Sequence, residues 1–216
     1  DLHKAIRRQR QMCIRDSLAD MAVEGMNAGS PQVYAPAFTN YVEGIYVGYK
    51  YYETAAQEGF IDYDKTVQYP FGYGLSYTEF EQKMGELEEK DGQISVDVEV
   101  TNTGDVAGKD VVEVYYNPPY TNGGIEKASA NLIEFAKTDL LQPGDSQTVT
   151  VTFDVEDMAS YDENDAEAYV LEKGDYVISI NRDSHTVLDQ KTYTVDDTVV
   201  YAGENKRASD DTAAVN

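Results

Sequence analysis

From Ile94 to Val100 the side chains alternate strictly: Ile94, Val96, Val98 and Val100 are apolar, and Ser95, Asp97 and Glu99 between them are polar. A period of two belongs to a β-strand with one face in a core and one in water, because successive side chains point to opposite faces. The alternation returns at Leu132–Leu140 and at Thr148–Val155, where Val149, Val151, Phe153 and Val155 form the inward set. Val111–Tyr116 is a β-branched and aromatic run that Pro118-Pro119 stops, and Ala168–Leu171 is a short apolar strand. Lys173-Gly174 turns the chain into Tyr176–Ile180, and Val187–Val195 adds an edge strand. Thr101-Asn102-Thr103-Gly104-Asp105 and Gln142-Pro143-Gly144-Asp145 supply turn chemistry between strands. About seven short strands over 76–195, with no strong helical segment among them, predict an antiparallel immunoglobulin-like β-sandwich. The chain has no Trp and one Cys, so the Cys…Trp…Cys core of antibody domains is missing and the class is fibronectin type III-like.

The stretch before the sandwich, 18–75, is mixed and dense in tyrosine: Tyr34, Tyr41, Tyr46, Tyr49, Tyr51, Tyr52, Tyr63, Tyr69 and Tyr73. Leu18–Asn27 has the pattern of the last turns of a helix, ending near Gly29 and Pro31. Gly44–Tyr52 fits a strand and a helix alike. Tyr49–Glu58 is the predicted helix, with Ala55 and Ala56 inside it and Gly59 as its C-cap. Pro70-Phe71-Gly72-Tyr73-Gly74 is a turn-rich connector. Many aromatics with little periodicity mark a segment packed on a domain that lies outside this chain; the resemblance given below implies that this domain is an α/β-sandwich. From Asp196 hydrophobicity falls, and 196–216 is expected to be an acidic linker.

Charge narrows the partners. Seventeen Lys+Arg stand against 40 Asp+Glu, a net charge of −23. Nucleic acid is excluded as a partner, because binding a phosphate backbone needs clustered cations, and so is a basic membrane-surface helix. No apolar run approaches the roughly 20 residues of a bilayer span, so no membrane span is expected. A single cysteine, Cys13, excludes an internal disulfide framework and a Cys-rich zinc site. Cys13 lies in a basic segment, 1–17, that holds Lys4, Arg7, Arg8, Arg10 and Arg15 and matches nothing after it. Its RRQRQMCIRD run resembles a translated reading frame of the transposon-end adapter used in sequencing libraries, and the preceding Asp1-Leu2-His3 fits the same adapter. The segment is therefore treated as non-native and left out of fold reasoning.

Candidate chemistry is thin. His185 follows Asp183 and Ser184, the residue types of a hydrolase triad, but in a polar stretch after a strand a loop histidine is the better reading. Asp157, Asp162, Glu163, Asp165 and Glu167 form an acidic loop with oxygen ligands for calcium, yet without EF-hand spacing, which favours a solvated loop. The tyrosines have the faces to stack on sugar rings, against the commoner use of such a cluster in interdomain packing.

Two runs then carry a resemblance. Tyr41-Val42-Glu43-Gly44-Ile45-Tyr46-Val47-Gly48-Tyr49-Lys50-Tyr51-Tyr52 precedes Tyr69-Pro70-Phe71-Gly72-Tyr73-Gly74-Leu75-Ser76-Tyr77-Thr78-Glu79-Phe80. Val100-Thr101-Asn102-Thr103-Gly104-Asp105-Val106-Ala107-Gly108-Lys109 follows, then Leu141-Gln142-Pro143-Gly144-Asp145 and Gly174-Asp175-Tyr176. In this order the motifs, spanning 41–180, resemble glycoside hydrolase family 3, in which such runs lead into a fibronectin type III-like domain. The resemblance implies retaining hydrolysis of terminal β-linked glucosides or xylosides, with a β/α-barrel supplying an aspartate nucleophile and an α/β-sandwich domain a glutamate acid/base. Neither catalytic motif matches here. Glu43 is the tempting acid, but its motif position is structural in the family. The expectation is a chain with no catalytic, cofactor-binding or metal residue and no cofactor. It would be a non-catalytic fragment whose partners are the catalytic domains of the same enzyme and, in the intact enzyme, a β-glucoside. The alternative is a free-standing fibronectin-like module for carbohydrate binding or surface display. The residues past Tyr193 also fit a permuted family arrangement with the barrel last.

Overall fold

The structure, a computed structural model, describes residues 44–207. The adapter-like segment, the Leu18–Asn27 helix, Glu43 and residues 208–216 lie outside the described residues.

Among the described residues, two short helices precede ten strands. The helices are α1 (Tyr49–Gln57) and α2 (Tyr63–Thr66). The strands are β1 (Phe80–Lys90), β2 (Gln93–Asn102), β3 (Val111–Asn117), β4 (Asn131–Lys137), β5 (Ser146–Asp154), β6 (Ser160–Asp162), β7 (Ala168–Leu171), β8 (Gly174–Asn181), β9 (Val187–Val195) and β10 (Val199–Tyr201). A three-stranded sheet ordered β1-β2-β5 faces a four-stranded sheet ordered β4-β3-β8-β9, and β10-β7-β6 make a small third sheet. Every pairing is antiparallel. This is the predicted fibronectin type III-like sandwich.

The register follows from the side-chain period. Val96 pairs with Val151 and Val98 with Val149, so the apolar sides of β2 and β5 share one face, where Ile94, Val96, Val98 and Val100 are wholly buried. Val112, Val114, Tyr176, Ile178 and Ile180 meet them from the other sheet. Each such side chain contributes roughly 1.5–3 kcal/mol by leaving water, and a one-residue slip would turn the whole set outward.

Four features differ from the sequence expectation. β1 was not foreseen, because FEQKMGELEEK is rich in charge; it is an edge strand whose register shifts between Met84 and Leu87, at Gly85, and of its side chains only Met84 is buried. The β4 strand stops at Lys137 rather than Leu140, and Leu141 instead bridges to Gly108. Val155 leaves the inward row of β5 and opens a 3-10 turn over Val155–Met158. Val199–Tyr201, inside the stretch predicted as acidic linker, is a strand: Val199 pairs with Leu171 and Tyr201 with Tyr169, which shields part of the core rim.

Candidate functional site

The segment before the sandwich is fastened to it at several points, and these points form the most built constellation among the described residues. Helix α1 follows Gly48, whose φ of 62° is open to glycine without cost, and ends before Gly59, the predicted C-cap, at φ 76°. Gly44–Tyr52, ambiguous by period, divides into a turn and the first residues of this helix. Tyr49 and Glu53 are one turn apart, so both face the four-stranded sheet.

Glu53 is buried, and its carboxylate gathers three partners. Tyr63 Oη donates to its Oε1 at 2.6 Å and Ser184 Oγ to the same oxygen at 2.7 Å, while His185 Nδ1 lies 2.8 Å from Oε2. A carboxylate only accepts, so the imidazole carries its proton on Nδ1 there. The ring of Tyr63 stacks on that imidazole. Burial and the bond to Glu53 both raise the Tyr63 phenol above its ordinary pKa.

Asp183, Ser184 and His185 therefore come together, but not as a nucleophile, base and orienter. Asp183 Oδ1 accepts the backbone N–H groups of His185 (3.0 Å) and Thr186 (2.8 Å), which shapes the β8–β9 turn and leaves the imidazole to Glu53. Ser184 Oγ points at Glu53, and its N–H donates to the Phe71 carbonyl at 2.8 Å. One turn thus holds α1, α2 and the connector at once. Sequence reasoning missed Glu53; its signal was a lone acid among Tyr49, Tyr52 and Ala56 at helical spacing.

An aromatic seam continues the joint. Tyr49 stacks on Phe71 with ring centroids 4.8 Å apart, meets Tyr115 edge-on at 6.1 Å, and its Oη accepts the Leu132 N–H at 2.9 Å. Tyr115 Oη donates to Glu113 at 2.9 Å. Burial raises the pKa of Glu113, and burial followed by the charge of Glu113 raises that of Tyr115. Gly72, at φ 85°, lies so close that a Cβ there would be 2.7 Å from Glu113 Oε2.

Beside the seam, a groove of about 750 Å³ runs between α1 and the loop over 117–129, with Tyr51, Phe60 and Tyr120 along it. At one end the buried Lys127 donates to the Pro119 carbonyl at 2.5 Å and pairs with Glu172. Further along the connector, Leu75 and Tyr77 are 90 % and 99 % exposed, and Tyr69, Phe71 and Tyr73 are about half exposed or more.

In the acidic loop, the Asp162 carboxylate accepts the N–H groups of Asn164, Asp165 and Ala166, each at 3.1 Å, and these bonds lower its pKa. No group of three His, Cys, Asp or Glu with metal-site geometry occurs among the described residues, and no described helix is long and apolar enough to cross a membrane.

The arrangement is a hydrogen-bonded joint with an apolar strip beside it. Residues 110–184 match the fibronectin type III-like domain family. β-Glucosidase A of Butyrivibrio fibrisolvens is 42 % identical over an alignment of 159 positions that covers 64 % of this chain and 18 % of that protein. The structure of β-glucosidase 3B from Thermotoga neapolitana in complex with α-D-glucose superposes with a TM-score of 0.65 at 34 % identity, covering 76 % of this chain and 21 % of that one. A GH3 β-glucosidase of Bifidobacterium adolescentis gives 0.63 at 28 % identity, covering 84 % and 24 %. The chain spans 16–20 % of the length of the curated relatives it matches. Shared fold, motif order and identity over most of the chain agree, and the chain belongs to glycoside hydrolase family 3, carrying the region of its β-glucosidases that holds the fibronectin type III-like domain.

Proposed function

We propose that this chain is the non-catalytic bracing region of a retaining β-glucosidase, whose substrate is a terminal β-linked glucoside. Retaining hydrolysis needs two carboxylates about 5–5.5 Å apart, one ionised and one protonated. We assign both to domains outside this chain and no catalytic, cofactor or metal residue to it. In this reading 18–75 is the tail of the α/β-sandwich domain and its connector, 76–195 the fibronectin type III-like domain and 196–216 an acidic linker. Its partners are the catalytic domains of the same enzyme, with no role for nucleic acid, which the acidity of the chain opposes.

The observation that carries this reading is the Glu53 joint: a segment resembling the end of an enzyme domain is hydrogen-bonded into the sandwich by a buried carboxylate. A free-standing module has no use for that attachment, nor for the apolar strip from Tyr69 to Tyr77 facing water. The test is hydrolysis of p-nitrophenyl β-D-glucoside by the intact enzyme and by the 216-residue chain alone. The intact enzyme is expected to turn over and the chain alone to be inactive. Reproducible turnover by the chain, or an inactive intact enzyme, overturns the proposal.

A further inference from the structure

We infer that the groove between α1 and the 117–129 loop is a non-catalytic binding site for a β-linked gluco-oligosaccharide. Its volume of about 750 Å³ lies within the roughly 300–1,000 Å³ typical of small-molecule sites. Three rings line it with free area: Tyr51 and Tyr120 are each 45 % exposed and Phe60 is 81 % exposed. A β-glucopyranose carries its substituents equatorially, so both ring faces present C–H groups that pack on an aromatic face.

The polar lining points the same way. Asn122 and Glu58 and the hydroxyls of Tyr51 and Tyr120 make no side-chain hydrogen bond with another described residue, which leaves an amide, a carboxylate and two phenols to meet sugar hydroxyls. The lining cation, Lys127, is spent on Pro119 and Glu172, so nothing free in the groove favours a phosphate or a carboxylate ligand. A neutral, hydroxyl-rich, flat-faced ligand satisfies both the rings and the polar set. The choice of β-linked glucose rests on the β-glucosidase reading; the stacking chemistry does not.

The test is a titration of the isotope-labelled 216-residue chain with cellobiose into the tens of millimolar, followed by amide NMR. Saturable shifts confined to α1, Phe60 and 117–129 are expected, with Phe60→Ala and Tyr120→Ala each weakening binding about tenfold. Both side chains are exposed, and unchanged signals from β2 and β5 verify that the variants fold. The absence of saturable shifts, or shifts that neither substitution alters, overturns the site; an equal response to maltose overturns the β-linked assignment. An intact enzyme that hydrolyses β-glucosides while this chain ignores cellobiose defeats the groove alone. Cellobiose binding here beside an inactive intact enzyme defeats the other reading.

Discussion

The phenol of Tyr63 lies flat on the imidazole of His185, with centroids 3.7 Å apart and planes 4° from parallel, and both rings bond the same buried carboxylate, Glu53. Two helices adjacent in sequence, α1 and α2, meet there the turn between β8 and β9, whose Ser184 and His185 lie 131 and 132 positions from Glu53. A buried carboxylate is tolerable only when its oxygens are filled, and here hydroxyl, hydroxyl and imidazole fill them. The joint is therefore specific, since Glu53 is the one acid of α1 and no neighbouring register of that helix brings a carboxylate to the same three donors.

Removing the carboxylate tests that statement. Glu53→Ala leaves Tyr63, Ser184 and His185 without their acceptor and is expected to cost about 2–4 kcal/mol, as for breaking a buried charged network. Urea unfolding measures the loss. Amide hydrogen exchange locates it, with protection falling in α1 while β2 and β5 keep theirs. Glu53→Gln, which retains one acceptor oxygen, is expected to lose less. Undiminished protection in α1 would show that the joint does not depend on Glu53.

Gly72 makes an independent claim about the connector. At φ 85° an L-residue is strained, and an added Cβ would stand 2.7 Å from Glu113 Oε2. Gly72→Ala is expected to destabilise by about 1–3 kcal/mol. In the double variant with Glu113→Ala, the contact is relieved but the backbone strain remains, so the two costs fall short of adding. Strict additivity in thermal or urea unfolding would place Glu113 away from Gly72.

The sandwich was legible because its central strands obey the period of two: Ile94, Val96, Val98 and Val100 name their own buried face. Where edge strands leave most side chains in water, as at Glu81, Lys83 and Glu88 of β1, there is little pattern to detect. Val199–Tyr201 is too short to declare itself before its partner β7 is in place. The joint was half visible. Asp183, Ser184 and His185 stood out as a group, yet their meaning depended on Glu53, 132 positions from His185 and indistinguishable in sequence from the other acids of this chain. Tertiary contact, not local propensity, chose which carboxylate was buried.

Alkaline stability follows from Tyr176. Its ring is buried, and that burial pushes its pKa from 10.0 up to about 12, with the Glu172 charge adding to the rise. The neutral phenol is the form the fold accommodates, so the unfolded chain loses its proton first as pH rises. Stability from this group is complete below pH 10 and declines from pH 10 to 12, with a slope of about 1.4 kcal/mol per pH unit. Urea midpoints across that range should fall in wild type and fall less steeply in Tyr176→Phe. Equal slopes in the two proteins would remove Tyr176 as the source.

Leu75 and Tyr77 separate the bracing role from a free-standing one. Both are almost fully exposed in this chain, so Leu75→Ser and Tyr77→Ser should change its unfolding free energy by no more than about 0.5 kcal/mol. In the intact enzyme of the proposed reading the same side chains are expected to be covered by a neighbouring domain, where burying a leucine contributes roughly 1.5–3 kcal/mol. The substitutions should then lower the thermal midpoint of the intact enzyme and expose the connector to proteolysis, while the chain alone is unaffected. Equal, negligible effects in both would mean that the strip faces water in the enzyme as well, and the sandwich would have to brace its neighbours through another surface.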